Sequence, residues 1–175
     1  MRKRDKDIVF KALAVVRTQF RLHFEGGIHG LPHWSRVWFH GRALAAAADV
    51  DPAVLAWFAF LHDGQRANDG HDPLHGRRAA DFAVRLRIDG VITELKPAAF
   101  ERLCEAMRLH SDGHTAGDAI LQVCWDADRL DLGRVGIQPQ PDRLCTSYAQ
   151  RAPVIHAAVR MSEGQARLSR PQAIS

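Results

Sequence analysis

The chain has 175 residues, 46% of them apolar, and 24 basic against 20 acidic side chains give a net charge of +4. That length suits a single domain, residues 1–175, with a core that needs no disulfide or metal staple. No apolar stretch approaches a membrane span, and the small positive excess suits a phosphorylated small molecule without implying nucleic-acid binding.

In chain order, a first helix is expected from about Asp5 to His23, with Ile8, Leu13, Val16 and Phe20 on one side. Its basic start, MRKRDKDIVFK, runs into this amphipathic pattern without a cleavage site, so a cytoplasmic protein is expected. The loop EGGIHGLP follows, and a second helix starts near Pro32 and runs through Ala48. Asp51-Pro52 reads as an N-cap followed by proline at the first helical position. The third helix, PAVLAWFAFLH, is apolar all round, which marks a helix buried at the centre of a domain. After the polar loop GQRANDGHDP, a fourth helix is expected from about Leu74 to Arg87 and a fifth from Ala98 to about Ser111, stopped near Gly113. A sixth spans about Asp118 to Leu132; GIQPQP is a loop; a last helix falls within Asp142 to Met161, interrupted at Pro153, with a frayed tail from about Glu163. Little of the chain alternates with period two, so the expectation is an all-α bundle of about six to seven helices. Cys104, Cys124 and Cys145 are scattered and odd in number, which fits reduced thiols.

The chemistry begins at the end of the apolar helix, where His62 and Asp63 emerge together. Neighbouring helical residues point about 100° apart, so the two can share one ion only at a helix end or a bend. On the fifth helix His110 continues the face of Phe100, Leu103 and Met107, and alone it reads more often as a hydrogen-bonded core residue. On the sixth, Ile120, Leu121, Cys124 and Ala127 define an apolar arc that contains Asp128, while Asp126 falls opposite, on a face expected to be solvated. A carboxylate turned into a core costs several kcal/mol unless it is paired, protonated or metal-bound. An internal salt bridge to an arginine is the plain alternative for Asp128.

With His33 added, the order H…HD…D resembles the HD superfamily of metal-dependent phosphohydrolases. HWSRVWFHGRALA is similar to that family's first motif, LAWFAFLHDGQR to its HD motif and VCWDADRLDLGRVG to its final aspartate motif. PLHGRRAA and MRLHSDGH resemble segments that supply two further histidines, His75 and His110, in members that hold two metals, such as HD-type diadenosine tetraphosphate hydrolases and HD-GYP phosphodiesterases. The resemblance covers about His33 to Gly136, within a motif-bearing core of about residues 20–136 followed by an extension over about 137–175. The chain lacks a GYP motif, and Arg66 stands where the nucleotidase branch has a glutamate.

The resemblance implies an HD-domain bundle with divalent metal, two ions drawn from Mn, Fe, Co, Ni, Zn or Mg. One would be held by His33, His62, Asp63 and Asp128, the other by Asp63, His75 and His110. Two ions bridged by Asp63 suit metal-activated water attacking the phosphoester or phosphoanhydride of a nucleotide or other small phosphorylated molecule. Asp63 and Arg66 are then the candidate catalytic residues. Arg66, His71, His114 and Arg36 are candidate substrate contacts, each with a plainer reading: surface arginine, turn residue, loop residue and structural salt bridge respectively. Asp69 and Asp72 share the loop with His71, where one group could protonate a leaving group or simply shape a turn. The same ligand order occurs in HD-type diiron oxygenases, and a ligand-binding module with little activity is a third reading.

Overall fold

The computed structural model describes residues 2–168, with side chains through residue 163. Seven α-helices account for most of it: α1 Lys3–Arg17, α2 Leu31–Ala48, α3 Pro52–Leu61, α4 His75–Ile88, α5 Pro97–Leu109, α6 Ala119–Arg129 and α7 Ala152–Leu168, with short 3₁₀ turns at Leu132–Val135 and Pro141–Arg143. No strand occurs among the described residues. None of the described helices is long and apolar enough to cross a membrane.

α3 is the axis around which the others assemble. Its start is set by the Asp51 carboxylate, which accepts from the Ala53 amide at 3.0 Å, and by Pro52, whose fixed φ suits the first turn. Every residue from Ala53 to Leu61 is buried, with α1, α2, α5 and α6 packed around the helix. Burying Leu55, Trp57, Phe58 and Leu61 stabilises the fold by roughly 1.5–3 kcal/mol per side chain.

Three expectations shift. α1 stops at Arg17 rather than near His23. Phe20 and Phe24 instead meet Trp34 edge-on, at centroid distances of 4.8 and 5.6 Å; tertiary packing takes Phe20 out of the helix. α6 ends at Arg129, short of Leu132, and a 3₁₀ turn follows that closes on Gly136 at φ +78°. Pro153 lies in the first turn of α7, where its missing N–H costs nothing, so it opens the last helix rather than interrupting it. That helix continues past Glu163 to Leu168, and the tail beyond residue 168 lies outside the described residues. Cys104, Cys124 and Cys145 are free thiols.

Candidate metal centre

Five helix ends meet at one place. His33 sits in the first turn of α2, His62 caps the C-terminus of α3 with Asp63 next to it, His75 opens α4, His110 caps the C-terminus of α5, and Asp128 lies in the last turn of α6. Helix ends allow this because their side chains can converge without the helices clashing. One contact is tight nonetheless: a Cβ on Gly76 would lie 2.3 Å from the Met107 carbonyl oxygen, so glycine lets α4 approach the end of α5 and brings His75 to His110.

Each imidazole has its Nδ1 committed. His33 Nδ1 donates to Asp131 Oδ2 at 2.7 Å, His62 Nδ1 to the Phe58 carbonyl at 3.1 Å, His75 Nδ1 to the Asp72 carbonyl at 2.5 Å, and His110 Nδ1 to the Met107 carbonyl at 2.7 Å. Carbonyl and carboxylate oxygens only accept, so in all four rings Nδ1 carries the hydrogen and Nε2 is left as the basic nitrogen. The four Nε2 atoms point inward in two pairs: His33 to His62 at 3.1 Å, and His75 to His110 at 2.8 Å. Asp63 stands between the pairs. Its Oδ2 is 3.5 Å from His33 Nε2 and 3.6 Å from His62 Nε2; its Oδ1 is 3.3 Å from His75 Nε2 and 3.7 Å from His110 Nε2. Asp128 Oδ1 lies 3.4 Å from His33 Nε2 and 3.7 Å from His62 Nε2.

Two imidazole lone pairs at such distances repel, and only a proton or a cation between them relieves the contact. The electrostatics agree. Burial alone would raise Asp63, but His62, His110 and His33 hold it well below the usual carboxylate range. Burial would likewise raise Asp128, and His62, Arg134 and His33 hold it far down. Burial lowers His62, opposed by Asp63 and Asp128. In the outer pair, burial and the charge on His110 push His75 down to about 4, whereas Asp63 more than offsets burial at His110 and raises it.

This donor set fits a divalent transition metal. Neutral Nε2 donors with Nδ1 fixed by oxygen acceptors, together with ionised carboxylates, are the groups such ions take. Asp128 Oδ1 is buried without a hydrogen-bond partner, and a cation would satisfy it. His33, His62 and Asp128 offer ligand atoms within 4.8 Å of one another, and so do His62, Asp63 and His110. The second group contains His62 where the sequence reading had His75.

A cavity of about 280 Å³ opens onto the centre and is lined by Asp63, Arg66, His75, His110, Asp128, Arg129 and Arg134, among others. Of the four candidate substrate contacts only Arg66 lines it, 3.4 Å from Asp63 Oδ1. His71 is exposed in its loop, and His114 is exposed with its ring tilted against Trp125. Arg36 is buried behind His33, where its Nε and Nη2 donate to Asp131 at 2.5 and 3.0 Å. Sequence neighbourhood put these residues near the motif but carried no direction for their side chains.

Asp126 corrects the expectation of a solvated face. It is fully buried and accepts from the Cys145 amide (2.7 Å), the Thr146 amide (2.8 Å) and the Thr146 hydroxyl (2.7 Å). The segment after the second 3₁₀ turn covers that side of α6, so both aspartates face inward, on different sides of the helix.

Sequence reasoning also passed over Asp131. It is fully buried and takes hydrogen bonds from His33, from Arg36 and, at 3.1 Å, from Ser162 of α7. Burial would raise it, but His33 and Arg36 keep it ionised. Its place three residues after Asp128, one helical turn on, was the available signal. His29 was missed as well; its Nδ1 pairs with Asp69 at 2.9 Å and ties the loop before α2 to the loop before α4.

No protein-family model matches the chain, and no curated protein matches it. Among solved structures, a predicted HD superfamily hydrolase from an uncultured Thermotogales bacterium is similar over 91% of this chain and 85% of its own, with a TM-score of 0.63 and 23% identity. The fold is the HD-domain fold. At that identity the likeness carries the HD architecture alone, and the chemistry rests on the side chains just described.

Proposed function

We propose that this HD-fold protein is a metal-dependent phosphohydrolase acting on the phosphoester or phosphoanhydride of a nucleotide or another small phosphorylated molecule. The observation that carries the reading is the set of four imidazoles, each with Nδ1–H spent on an oxygen and Nε2 turned toward Asp63 and Asp128. His33, His62 and Asp128 would hold one ion; Asp63 and His110, with His62 or His75, a second. Divalent ions there supply Lewis acidity and make a bound water acidic enough to serve as nucleophile near neutral pH.

The chain's own residues do the rest. Asp63, with one oxygen toward each histidine pair, sets the spacing between the two ligand groups. Asp131 holds His33 in the tautomer that presents Nε2. Arg66 lies at the cavity wall and offers a guanidinium to a phosphate oxygen. The same donor set could serve two irons in oxygen chemistry, but guanidiniums lining the cavity favour an anionic phosphate over a neutral substrate. The test is metal analysis of unchelated protein followed by a screen on nucleotides, dinucleotides and simple phosphoesters. Chelator-sensitive release of phosphate supports the reading. Aerobic iron signals without phosphatase activity, or a metal-free protein that binds its ligand as well as the loaded one, would replace it.

A further inference from the structure

Arg129 and Arg134 line the same cavity as the metal ligands, and the proposed reaction has not yet used either. Arg129 is 8% exposed. Its guanidinium donates to the His114 carbonyl at 2.6 Å, the Arg143 carbonyl at 3.1 Å and Cys145 Sγ at 3.4 Å. None of these described partners is a carboxylate, so a buried cation keeps its full charge, a costly arrangement unless an anion completes it. Arg134 donates through Nε to the Ile28 carbonyl at 2.9 Å and through Nη1 to the Asp131 carbonyl at 3.2 Å, and it stands 3.9 Å from Asp128 Oδ1 and 4.0 Å from Asp131 Oδ2, too far for hydrogen bonds to those carboxylates. Arg66, arriving from the end of α3, gives two donors to the carbonyls of Asn68 and Gly70. Among the side chains that line the cavity, three guanidiniums stand with two carboxylates, Asp63 and Asp128, an excess of one positive charge before any metal is counted. Each divalent ion adds two more.

A single phosphate group carries too little charge and too few oxygens to answer both the metal floor and guanidiniums arriving from two separate stretches of chain. A chain of two or three phosphates carries enough of both. The cavity, about 280 Å³, lies at the small end of ligand pockets, so a phosphate chain fills it and whatever the chain is attached to stays at the mouth.

We propose that Arg129 and Arg134, with Arg66, form an oligophosphate cradle beside the metal centre, which makes a di- or triphosphate chain the preferred ligand over a single phosphate group. This rests on the phosphohydrolase reading for its catalytic meaning, while the cradle itself is a binding property. Arg129 also ties the His114 and Arg143 segments together, so its charge is held in place before the ligand arrives.

The test is calorimetric titration of the full chain, as purified and after chelation, with sodium tripolyphosphate and separately with orthophosphate. The wild type binds tripolyphosphate tighter by about tenfold or more, and Arg134→Ala and Arg129→Met each weaken tripolyphosphate by about tenfold or more while weakening orthophosphate much less, the size expected for one charge-assisted contact. Arg134→Lys, which keeps the charge, recovers most of the affinity. Circular dichroism checks that each variant is folded; if Arg129→Met is not, Arg134→Ala decides. Equal affinity of the wild type for the two anions overturns the cradle, as does an Arg134→Ala protein that binds tripolyphosphate like the wild type or loses both anions equally. The two readings fail separately. Arginine-dependent tripolyphosphate binding without turnover of any phosphorylated compound keeps the cradle and sinks the phosphohydrolase. Turnover of a phosphomonoester with no preference for the longer anion does the reverse.

Discussion

The inner pair, His33 and His62, and the outer pair, His75 and His110, present the same nitrogen atoms on unlike foundations. The inner rings are fully buried: His62 stacks on Phe58 at 4.9 Å, and His33 leans on Asp131, which Arg36 and Ser162 hold from behind. The outer rings are 4% and 5% exposed and line the cavity; neither Nδ1 has a carboxylate behind it as His33 does, and their approach depends on a backbone contact at Gly76. The inner pair is therefore part of the core, and the outer pair is an attachment that the core permits. Asp63 reaches both, so the sharpest perturbations are those that hit the bridge, then one foundation, then the other.

Asp63→Ala carries the largest effect. It removes the carboxylate between the pairs, so turnover falls to background and metal content drops, while circular dichroism still reports the helical fold. The apolar faces of α3 are untouched, and the protein loses only the stabilisation that bound metal adds. Retained near-wild-type turnover would end the case for a bridging role; unfolding would make the centre chiefly structural.

Asp131→Ala strikes the inner foundation. It removes the buried carboxylate that accepts from His33 Nδ1 and from Arg36 Nε and Nη2, which costs about 3–5 kcal/mol in denaturant unfolding. Metal held by the inner pair weakens roughly 10–100-fold. An unchanged midpoint would show that Asp131 is not the brace described here.

His40, on the same helix as His33, makes this foundation acid-sensitive. Burial, aided by the Arg36 and His33 charges and opposed by Asp131, lowers its pKa from 6.5 to about 4. Between those values the unfolded chain takes up a proton that the folded one refuses, so stability falls as pH drops below 6.5 and the loss levels off below about 4, at about 3 kcal/mol. His40→Phe, measured by unfolding at pH 7 and pH 4, should lose about that much less than the wild type. Equal losses would show that His40 does not carry the effect.

Gly76→Ala tests the outer foundation with the smallest change. Its Cβ would press on the Met107 carbonyl, moving α4 from α5 at a cost of roughly 1–3 kcal/mol. Elemental analysis should then find the outer ion lost and the inner one kept. Loss of both together would mean that the pairs are not independent.

The sequence made the inner pair easier to foresee than its supports. PAVLAWFAFL announces a central helix whatever surrounds it, and Asp51-Pro52 marks its first turn, so His62 and Asp63 are placed by local pattern alone. Asp128 follows from an apolar arc. Asp126 does not, because α6 is buried on more than one side and a helical wheel cannot foresee that Cys145 and Thr146 will cover its second face. Asp131, Arg129 and Arg134 take much of their role from Arg36, His114 and Ile28, which lie 95, 15 and 106 residues away. Spacing within a motif says nothing about those partners. α1 ends early for the same reason: Phe20 keeps helical spacing with Val16, but it packs against Trp34.

Anomalous diffraction from zinc-loaded crystals shows whether the converging Nε2 atoms and carboxylates are metal ligands. One peak is expected roughly 2.0–2.2 Å from Nε2 of His33, Nε2 of His62 and an oxygen of Asp128, and a second about 3.5–4 Å away beside Asp63 and His110. Ordered zinc elsewhere on the molecule, with the His33–His62 and His75–His110 contacts unchanged and no peak among these atoms, would contradict that assignment.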